Sequence, residues 1–236
     1  RDELTSSGLR KFGIKAQFLG NPMMDGFNNL IPCPSSLINN RRLILLCGSR
    51  MPEALTNFRR LIFAALQIKS LTPLAILVTT GAEPSLNEIE LCLEELGFSQ
   101  SFSQDHSLGV KTFWQKGLLK VFIGIGKFHE WASFAEVGLA NAGTATEQLV
   151  GLGTPCVSLP GKGPQFKYGF AIRQSRLLGG SVIPCRNFVH LAKTVELLLL
   201  DSSFRDRLSL IGKMRMGFSG GSEALAKRIL DFMNSK

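Results

Sequence analysis

Short apolar runs and longer amphipathic stretches alternate along most of the chain. The apolar runs are continuous instead of alternating with polar residues, which is typical of strands buried on both faces of a parallel sheet. Several of them stop at a glycine, a residue that commonly marks the end of a strand. They predict six strands, at residues 43–47, 74–80, 118–124, 137–141, 155–160 and 181–185.

The stretches between these runs carry apolar residues at helical spacing and therefore predict helices. The first follows Pro52, and proline is favoured in the first turn of a helix. The stretch 98–118 is irregular apart from a short strand at 110–114. Helices are predicted at about residues 53–69, 85–97, 128–135, 143–152, 165–178, 188–200, 203–215 and 221–234.

This alternation of strands and helices predicts an α/β fold. Because crossovers between parallel strands are right-handed, helices cover both faces of such a sheet. We therefore expect a doubly wound, mostly parallel, six-stranded sheet of the Rossmann-like type, which occupies residues 41–236.

The first forty residues do not follow this alternation. Residues 1–14 predict a helix, residues 15–22 a short strand that ends in a turn, and residues 28–40 a linker rich in Asn, Pro and Ser. We interpret residues 1–40 as the end of a preceding domain and an interdomain linker. Because the chain begins with Arg1 and not with methionine, we expect it to be a piece of a longer protein.

Glycines follow several predicted strands and fall on one edge of the sheet. In doubly wound sheets, ligands bind outside the carboxyl ends of the strands, near the switch in strand order. Residues 137–166 contain two strand–turn–helix transitions in succession. This succession favours a ligand with several polar groups along its length. The glycines at this edge are Gly48, Gly81, Gly124, Gly126 and Gly143.

The sequence "NAGTATEQ" at residues 141–148 is the first candidate site. Gly143 gives a ligand access to the backbone, and the free N–H groups at a helix start attract anions. Thr144 and Thr146 offer hydroxyl groups, and Glu147 is suited to accept hydrogen bonds from a ribose diol. The alternative is a capped helix whose threonines satisfy their own backbone.

Two further glycine turns follow predicted strands. In "LCGSRMPE", Gly48 and Ser49 precede Arg50, which can form paired hydrogen bonds with phosphate oxygens. In "LPGKGPQF", Lys162 can meet an anion and Gln165 can bond to sugar hydroxyls. The alternatives are a plain turn with an exposed arginine and a plain strand-to-helix loop.

The sequence "GIGKFHEW" at residues 124–131 offers backbone groups where a flat base can lie. His129 and Glu130 are candidates for acid and base, and the alternative for both is a surface or helix-start role. The chain has no GxxxxGK[ST] pattern, and "GIGKFH" lacks the third glycine of a dinucleotide-binding GxGxxG motif.

The formal net charge of +9 favours an anionic partner, such as a phosphorylated ligand or an anionic membrane surface. The basic residues are scattered, with only short clusters such as Arg41-Arg42 and Arg59-Arg60, so a solvated basic surface is the alternative. Basic and aromatic residues are not interleaved as they are in single-strand binders, so no nucleic acid partner is expected.

The cysteines and histidines do not predict a metal site. The five cysteines are odd in number and form no CxxC pair, and the three histidines lie at no ligand-like spacing. We interpret the cysteines as reduced, mostly buried thiols of a cytoplasmic protein. No apolar run approaches the roughly 20 residues that span a bilayer.

Several of these stretches together resemble the carboxyl-terminal half of the bacterial lipid-A-disaccharide synthase-related proteins, which are two-domain relatives of GT-B-type glycosyltransferases. The resemblance covers nearly the whole chain, and its most specific part is the stretch at 139–166. The stretches that carry it are "FLGNPMMDGF" at 18–27, "LILLCGSRMPEALTNF" at 43–58, "LANAGTATEQLVGLGTPCVSLPGKGPQF" at 139–166, "RQSRLLG" at 173–179 and "GSEALAKRIL" at 221–230.

The resemblance implies a domain that binds a nucleotide sugar, usually a uridine diphosphate sugar, as substrate with no metal and no separate cofactor. It also implies a missing amino-terminal domain that binds the acceptor, and an apolar face of the last helix that packs on that domain. The implied donor contacts are Gly48, Ser49 and Arg50 at the diphosphate or sugar, Gly143, Thr144, Ala145 and Thr146 at the diphosphate, Ile125, Gly126, Lys127 and Phe128 at the base, and Gln165 at the sugar.

The chain departs from the synthases at one position of this motif. The synthases resemble "SGTATLE", with an acidic residue five positions after the glycine, whereas Gln148 stands there in this chain and Glu147 precedes it. Neighbouring helical positions differ by about 100°, so only one of the two faces a ribose. The sequence leaves both open.

Three functions remain open from the sequence. The first is glycosyl transfer in the intact parent protein, where this piece binds the donor without transferring the sugar by itself. The second is a nucleotide-sugar 2-epimerase, which shares the architecture. The third is a non-catalytic nucleotide-binding or membrane-binding module, peripheral at the inner face of a membrane. No catalytic residue is predicted.

Overall fold

The computed structural model describes residues 2–27, 31–103, 106–110, 112–161, 163 and 166–234. These residues form one eight-stranded sheet with helices on both faces. The strands are β1 (Arg41–Leu46), β2 (Leu74–Thr80), β3 (Ser99–Phe102), β4 (Thr112–Lys116), β5 (Leu119–Ile125), β6 (Val137–Ala140), β7 (Cys156–Ser158) and β8 (Val182–Pro184).

Helices precede, connect and follow these strands. They are α1 (Glu3–Lys11), α2 (Glu53–Ala65), α3 (Leu86–Glu95), α4 (Phe128–Trp131), α5 (Thr144–Gly151), α6 (Tyr168–Leu177), α7 (Phe188–Leu200), α8 (Ser202–Met216) and α9 (Gly221–Asn234). Short 3-10 helices lie at Pro22–Met24, Ser35–Leu37 and His106–Leu108.

The strand order is β3-β4-β5-β2-β1-β6-β7-β8. In this order all neighbouring strands from β5 to β8 are parallel, whereas β4 pairs in antiparallel fashion with both β3 and β5. The predicted doubly wound, mostly parallel fold is therefore confirmed. The predicted number of six strands is too low, because β4 joins the sheet near the short strand expected at 110–114 and β3 adds an edge.

Strand β3 escapes the sequence pattern because it is polar. Its sequence is SQSF, and Phe102 is 83% exposed at the edge of the sheet. A strand that buries no face carries no apolar signal, so its position is set by pairing with β4.

The predicted strand at residues 15–22 is wrong. Residues 14–21 run without strand or helix alongside the end of α8, where the N–H of Asn21 donates to the Phe218 carbonyl at 2.8 Å. The side-chain amide of Asn21 donates to the Met216 carbonyl at 2.7 Å, and the rings of Phe18 and Phe218 lie 5.1 Å apart. These contacts take the place of a neighbouring strand.

The central strands are buried on both sides, as their continuous apolar runs predict. In β1, Leu43 and Leu45 belong to the core beneath α2, α3 and α7, whereas Ile44 and Leu46 belong to the core beneath α4 and α5. Each of the four is at most 4% exposed. Such burial holds the sheet rigid, so the loops at its edges start from fixed positions.

Helix α9 stands apart from both cores. Its principal contact is with the 3-10 helix at Pro22–Met24. Leu225, Ile229 and Phe232 are 43%, 59% and 61% exposed. The domain boundary near residue 40 stays a prediction. Among the described helices, none combines the length and the apolar character required to cross a membrane.

Candidate functional site

A cleft of about 720 Å3 lies at the carboxyl ends of the central strands. The chain runs from β1 to β2 on one side and later places β6 on the other side of β1, so the strand order switches between β1 and β6. This is the position where doubly wound sheets bind ligands. Nine predicted site residues line the cleft: Gly48, Ser49, Arg50, Gly126, Phe128, Gly143, Thr144, Ala145 and Gln148.

The turn after β1 fits closely against the turn after β6. Gly48 has φ +91°, a backbone conformation that side-chain-bearing residues rarely adopt. A Cβ atom on Gly48 would lie 3.3 Å from the Asn141 carbonyl oxygen. Ser49 and Arg50 follow as exposed residues of the cleft. The absence of a side chain at Gly48 therefore brings the two turns together.

Helix α5 begins at the cleft with unoccupied amide groups. Gly143 precedes the helix and supplies no side-chain cap. The amides of Thr146 and Glu147 donate back to the Gly143 carbonyl at 3.1 and 3.2 Å, whereas those of Thr144 and Ala145 find no acceptor among the described residues. Such a helix start combines free donors with the positive end of the helix dipole, and it binds anions.

Four predicted contacts do not line the cleft: Ile125, Lys127, Thr146 and Glu147. Ile125 is 59% exposed at the end of β5. Thr146 is fully buried, and its hydroxyl donates to the Ala142 carbonyl at 2.8 Å. The Lys127 ammonium group donates to the Glu130 carboxylate at 2.8 and 3.0 Å. The Thr146 and Lys127 side chains both have structural partners within the chain, which is the physical reason that they do not face the ligand space.

The structure separates Glu147 from Gln148. Gln148 lines the cleft and also donates from its side-chain amide to the Met23 carbonyl at 2.9 Å. Glu147, one position earlier on the helix, is not part of the cleft wall. A neutral amide therefore stands where the resemblance implies an acidic group.

The loop that leads from β7 to α6 and the first turn of α6 each contribute an aromatic side chain that the sequence patterns did not reveal. Phe166 and Phe170 line the cleft, with their rings 5.2 Å apart. Lys162 and Gln165 of the same loop lie outside the described residues. The predicted sugar contact of Gln165 stays a prediction.

Flat rings form another side of the cleft. Phe128 and His129 line it, and the ring of Phe27 stacks on His129 at 4.4 Å with an interplanar angle of 11°. Phe27 also meets Phe128 edge to face at 6.0 Å. The sequence separation of about a hundred residues hid this cluster. Glu130 is held by Lys127, so its predicted acid or base role finds no support in its placement.

Two buried asparagines also line the cleft, and sequence reasoning missed both. Asn57 on α2 and Asn141 after β6 are 8% and 3% exposed. The Asn141 side chain donates to the Asn57 side-chain oxygen at 3.2 Å and to the Leu159 carbonyl at 2.8 Å. Polar side chains buried in this way are normally satisfied by hydrogen bonds, as these are.

The thiol at the cleft is not suited to nucleophilic chemistry. Burial raises the pKa of Cys47 to about 12, so the reactive thiolate is scarce at neutral pH. All five cysteines lie in the described part of the chain, and none forms a disulfide. Within that same part, no group of three or more His, Cys, Asp or Glu side chains is arranged to hold a metal ion.

Known proteins share this fold. No family model and no curated protein sequence matches the chain. A protein from Listeria monocytogenes described as a UDP-N-acetylglucosamine 2-epimerase is similar, with 18% identity and a TM-score of 0.59 over 99% of this chain and 57% of that chain. The S. aureus MnaA–UDP structure has 12% identity and a TM-score of 0.61 over 99% of this chain and 58% of that chain.

A glycosyltransferase structure is similar as well. Spinosyn rhamnosyltransferase SpnG with spinosyn aglycone has 16% identity and a TM-score of 0.52 over 86% of this chain and 49% of that chain. At these identities the similarity shows a shared fold, a Rossmann-like α/β domain with a mostly parallel sheet. The chain spans little more than half the length of the first two structures.

Proposed function

We propose that the cleft binds the diphosphate of a nucleotide sugar and that the chain is the donor-binding part of a glycosyltransferase. The observation that carries this proposal is the open start of α5, which faces the same cleft as the Gly48–Arg50 turn. A pyrophosphate between them would reach both.

We assign the diphosphate to the hydrogen-bond donors at the start of α5. The Thr144 and Ala145 amides offer hydrogen bonds, and the helix dipole adds about 0.3–1 kcal/mol per charge. Arg50 lies in the same cleft and can bind phosphate oxygens in a bidentate manner. In sugar transfer the leaving diphosphate gains negative charge, and preorganised donors stabilise such charge most effectively.

The base and the ribose are assigned to the walls on either side. A base would lie along the Phe128 and His129 rings, with Phe27 supporting His129 from behind. Gln148 is the α5 side chain that can meet the ribose, as donor or as acceptor. The S. aureus MnaA structure contains UDP, which supports uridine diphosphate as the nucleotide to test first.

The resemblance to lipid-A-disaccharide synthase-related proteins supports glycosyl transfer to an acceptor in the intact protein. An acceptor domain elsewhere in that protein would supply the acceptor site and the catalytic base. The net charge of +9 supports a peripheral contact with an anionic membrane.

A nucleotide-sugar 2-epimerase is the second candidate, because one of the similar structures is described as such an enzyme. Epimerisation requires acid and base groups in the cleft, and Glu53 and His129 are titratable residues of its wall. Incubation of the intact protein with a nucleotide sugar alone separates the two functions, since epimerisation requires no acceptor.

Calorimetry with uridine diphosphate tests the proposal. We expect the wild-type chain to bind, and Arg50→Ala to bind about 10- to 100-fold more weakly, since hydrogen bonds to charged groups contribute roughly 1.5–3 kcal/mol. Arg59→Ala is the matched control, because Arg59 is an exposed arginine that pairs with Glu95 on α3. No binding by the wild type would overturn the proposal, and equal affinity in Arg50→Ala would remove Arg50 from the site.

A further inference from the structure

One side chain joins three loops of the cleft. Asn141 follows β6 and leads into the start of α5. Its side chain donates to the Leu159 carbonyl at 2.8 Å and accepts from the Leu159 N–H at 2.9 Å, so it pairs with the segment after β7 as a neighbouring strand would. It also donates to the Asn57 side-chain oxygen at 3.2 Å.

The connection continues to the loop after β1. The side-chain amide of Asn57 donates to the carbonyl of Cys47, the residue before Gly48, at 3.2 Å. Arg60, one turn further along α2, donates to the carbonyls of Leu159 and Pro160 at 3.2 and 3.1 Å. Side chains of α2 and Asn141 therefore fix all three loops with respect to one another.

We propose that Asn141 is a positioning residue of the cleft, which holds the loops after β1, β6 and β7 in a single arrangement before any ligand binds. The effect on ligand affinity rests on the proposed nucleotide binding, whereas the effect on the loops does not. A site held in its binding geometry loses less freedom on binding, and its affinity is higher for that reason.

The residue type matters because the position requires donors and an acceptor together. An asparagine amide has both, an aspartate carboxylate only accepts, and an alanine has neither. Without Asn141, the Leu159 N–H loses the acceptor at 2.9 Å and the Leu159 carbonyl keeps only the longer hydrogen bond from Arg60. Unsatisfied buried groups are costly. The expected result is a shift of the loop after β7 away from the start of α5.

Hydrogen exchange on the ligand-free chain tests directly whether Asn141 holds the three loops in place. We expect Asn141→Ala to accelerate amide exchange in residues 46–50, 141–145 and 157–161 together, with little change in β2. The matched control is Asn40→Ala. Asn40 is also only 6% exposed, and its side-chain amide donates to the Ser36 carbonyl before β1. Faster exchange in one loop alone would overturn the positioning role.

Uridine diphosphate titration tests the consequence for binding. We expect Asn141→Ala to raise the dissociation constant about tenfold or more, a shift of about 1.4 kcal/mol, and Asn40→Ala to leave it within about twofold. Unchanged affinity in Asn141→Ala would overturn the proposal. If the wild type does not bind while the three loops still loosen together, the positioning role stands and the proposed function fails.

Asn141→Asp supplies a pH profile that a general loss of stability would not produce. When protonated, its carboxyl group donates to the Leu159 carbonyl again, and burial favours the protonated form. The dissociation constant relative to wild type should therefore decrease as the pH is lowered. A ratio that is independent of pH would contradict the role assigned to the donor. The charged or titratable groups near this position are Arg60 on α2 and, in the cleft wall, Arg50, Glu53 and His129.

Discussion

Two helices of this molecule begin in opposite ways. Helix α9 begins against the Asp25 carboxylate, which accepts hydrogen bonds from the N–H groups of Gly220, Gly221 and Ser222 at 2.5, 3.2 and 2.9 Å. Helix α5 begins at Gly143, and no side chain in the described part of the chain caps it. The chain itself thus supplies an anion to one helix start and leaves the other facing a cleft.

The difference shows why the sequence alone does not reveal which helix start is open to an external anion. Both contain a glycine next to small hydroxyl residues, in "GGSE" and "AGTA". What separates them is a carboxylate about 195 residues earlier in the chain that reaches one start and not the other. An open start beside a cleft is the arrangement that accepts an external anion.

The largest expected effect comes from giving α5 an anion of its own. Gly143→Asp places a carboxylate at the position before the helix, next to its free amides. The same charge would repel a diphosphate, so we expect the dissociation constant of uridine diphosphate to rise more than about 100-fold. Calorimetry measures the effect on binding, and thermal unfolding checks that the variant is folded.

Gly143→Asn is the matched control for this variant. It adds a side chain of similar size without a charge, so it should weaken binding less. If Gly143→Asp binds uridine diphosphate as the wild type does, the open helix start is not where the anion binds.

A smaller effect is expected from Thr146→Val, which alters the third residue of α5. Because the Thr146 hydroxyl donates to the Ala142 carbonyl and is fully buried, its loss should lower the free energy of unfolding by about 1 kcal/mol. Uridine diphosphate affinity should remain within about twofold of wild type at a temperature where both variants are folded. Denaturant unfolding and calorimetry check this, and a large loss of affinity with unchanged stability would return Thr146 to the ligand contacts.

The smallest effect concerns the closed start of α9. Hydrogen bonds from Ser222, chiefly that of its side chain, and from the two preceding amides hold the pKa of Asp25 below its ordinary value of 3.8. The capping contribution is therefore present above the unfolded-state pKa and is lost as the pH falls through the lower folded-state value.

Comparison of the stabilities of wild type and Asp25→Asn from neutral to acidic pH tests this direction of the pH dependence. The wild type should be the more stable of the two at neutral pH, and the difference should disappear in acid. Circular dichroism during thermal unfolding reports it. A difference that persists after Asp25 is protonated would mean that packing, and not charge, holds the start of α9.

The fold was predictable because its central strands are continuous apolar runs. Strand β2 is buried at every position, and its limits at residues 74 and 80 agree with the apolar run "LAILVTT". Strand β3 was missed because a polar edge strand is specified by its partner. The strand expected at residues 15–22 failed because local composition does not show that Asn21 bonds to the end of α8.

The cleft was predictable where backbone chemistry defines it and not where side chains meet across the fold. Glycines after strands marked Gly48 and Gly143 correctly as residues of one edge. Asn57 and Asn141 are 84 positions apart, so no local pattern indicates their hydrogen bond. The placement of Gln148, and not Glu147, in the wall depends on the rotation of α5, which is set by packing against α8 and the Met23 segment.

The pairing of β1 with β6 joins residue 43 to residue 137 and thereby brings the two sides of the cleft together. During synthesis, the two sides of the cleft can meet only after the chain beyond α5 has emerged from the ribosome. A nascent chain that ends between the two strands presents half a binding surface. Ligand can therefore assist only the late stages of folding, after the middle of the sheet has closed.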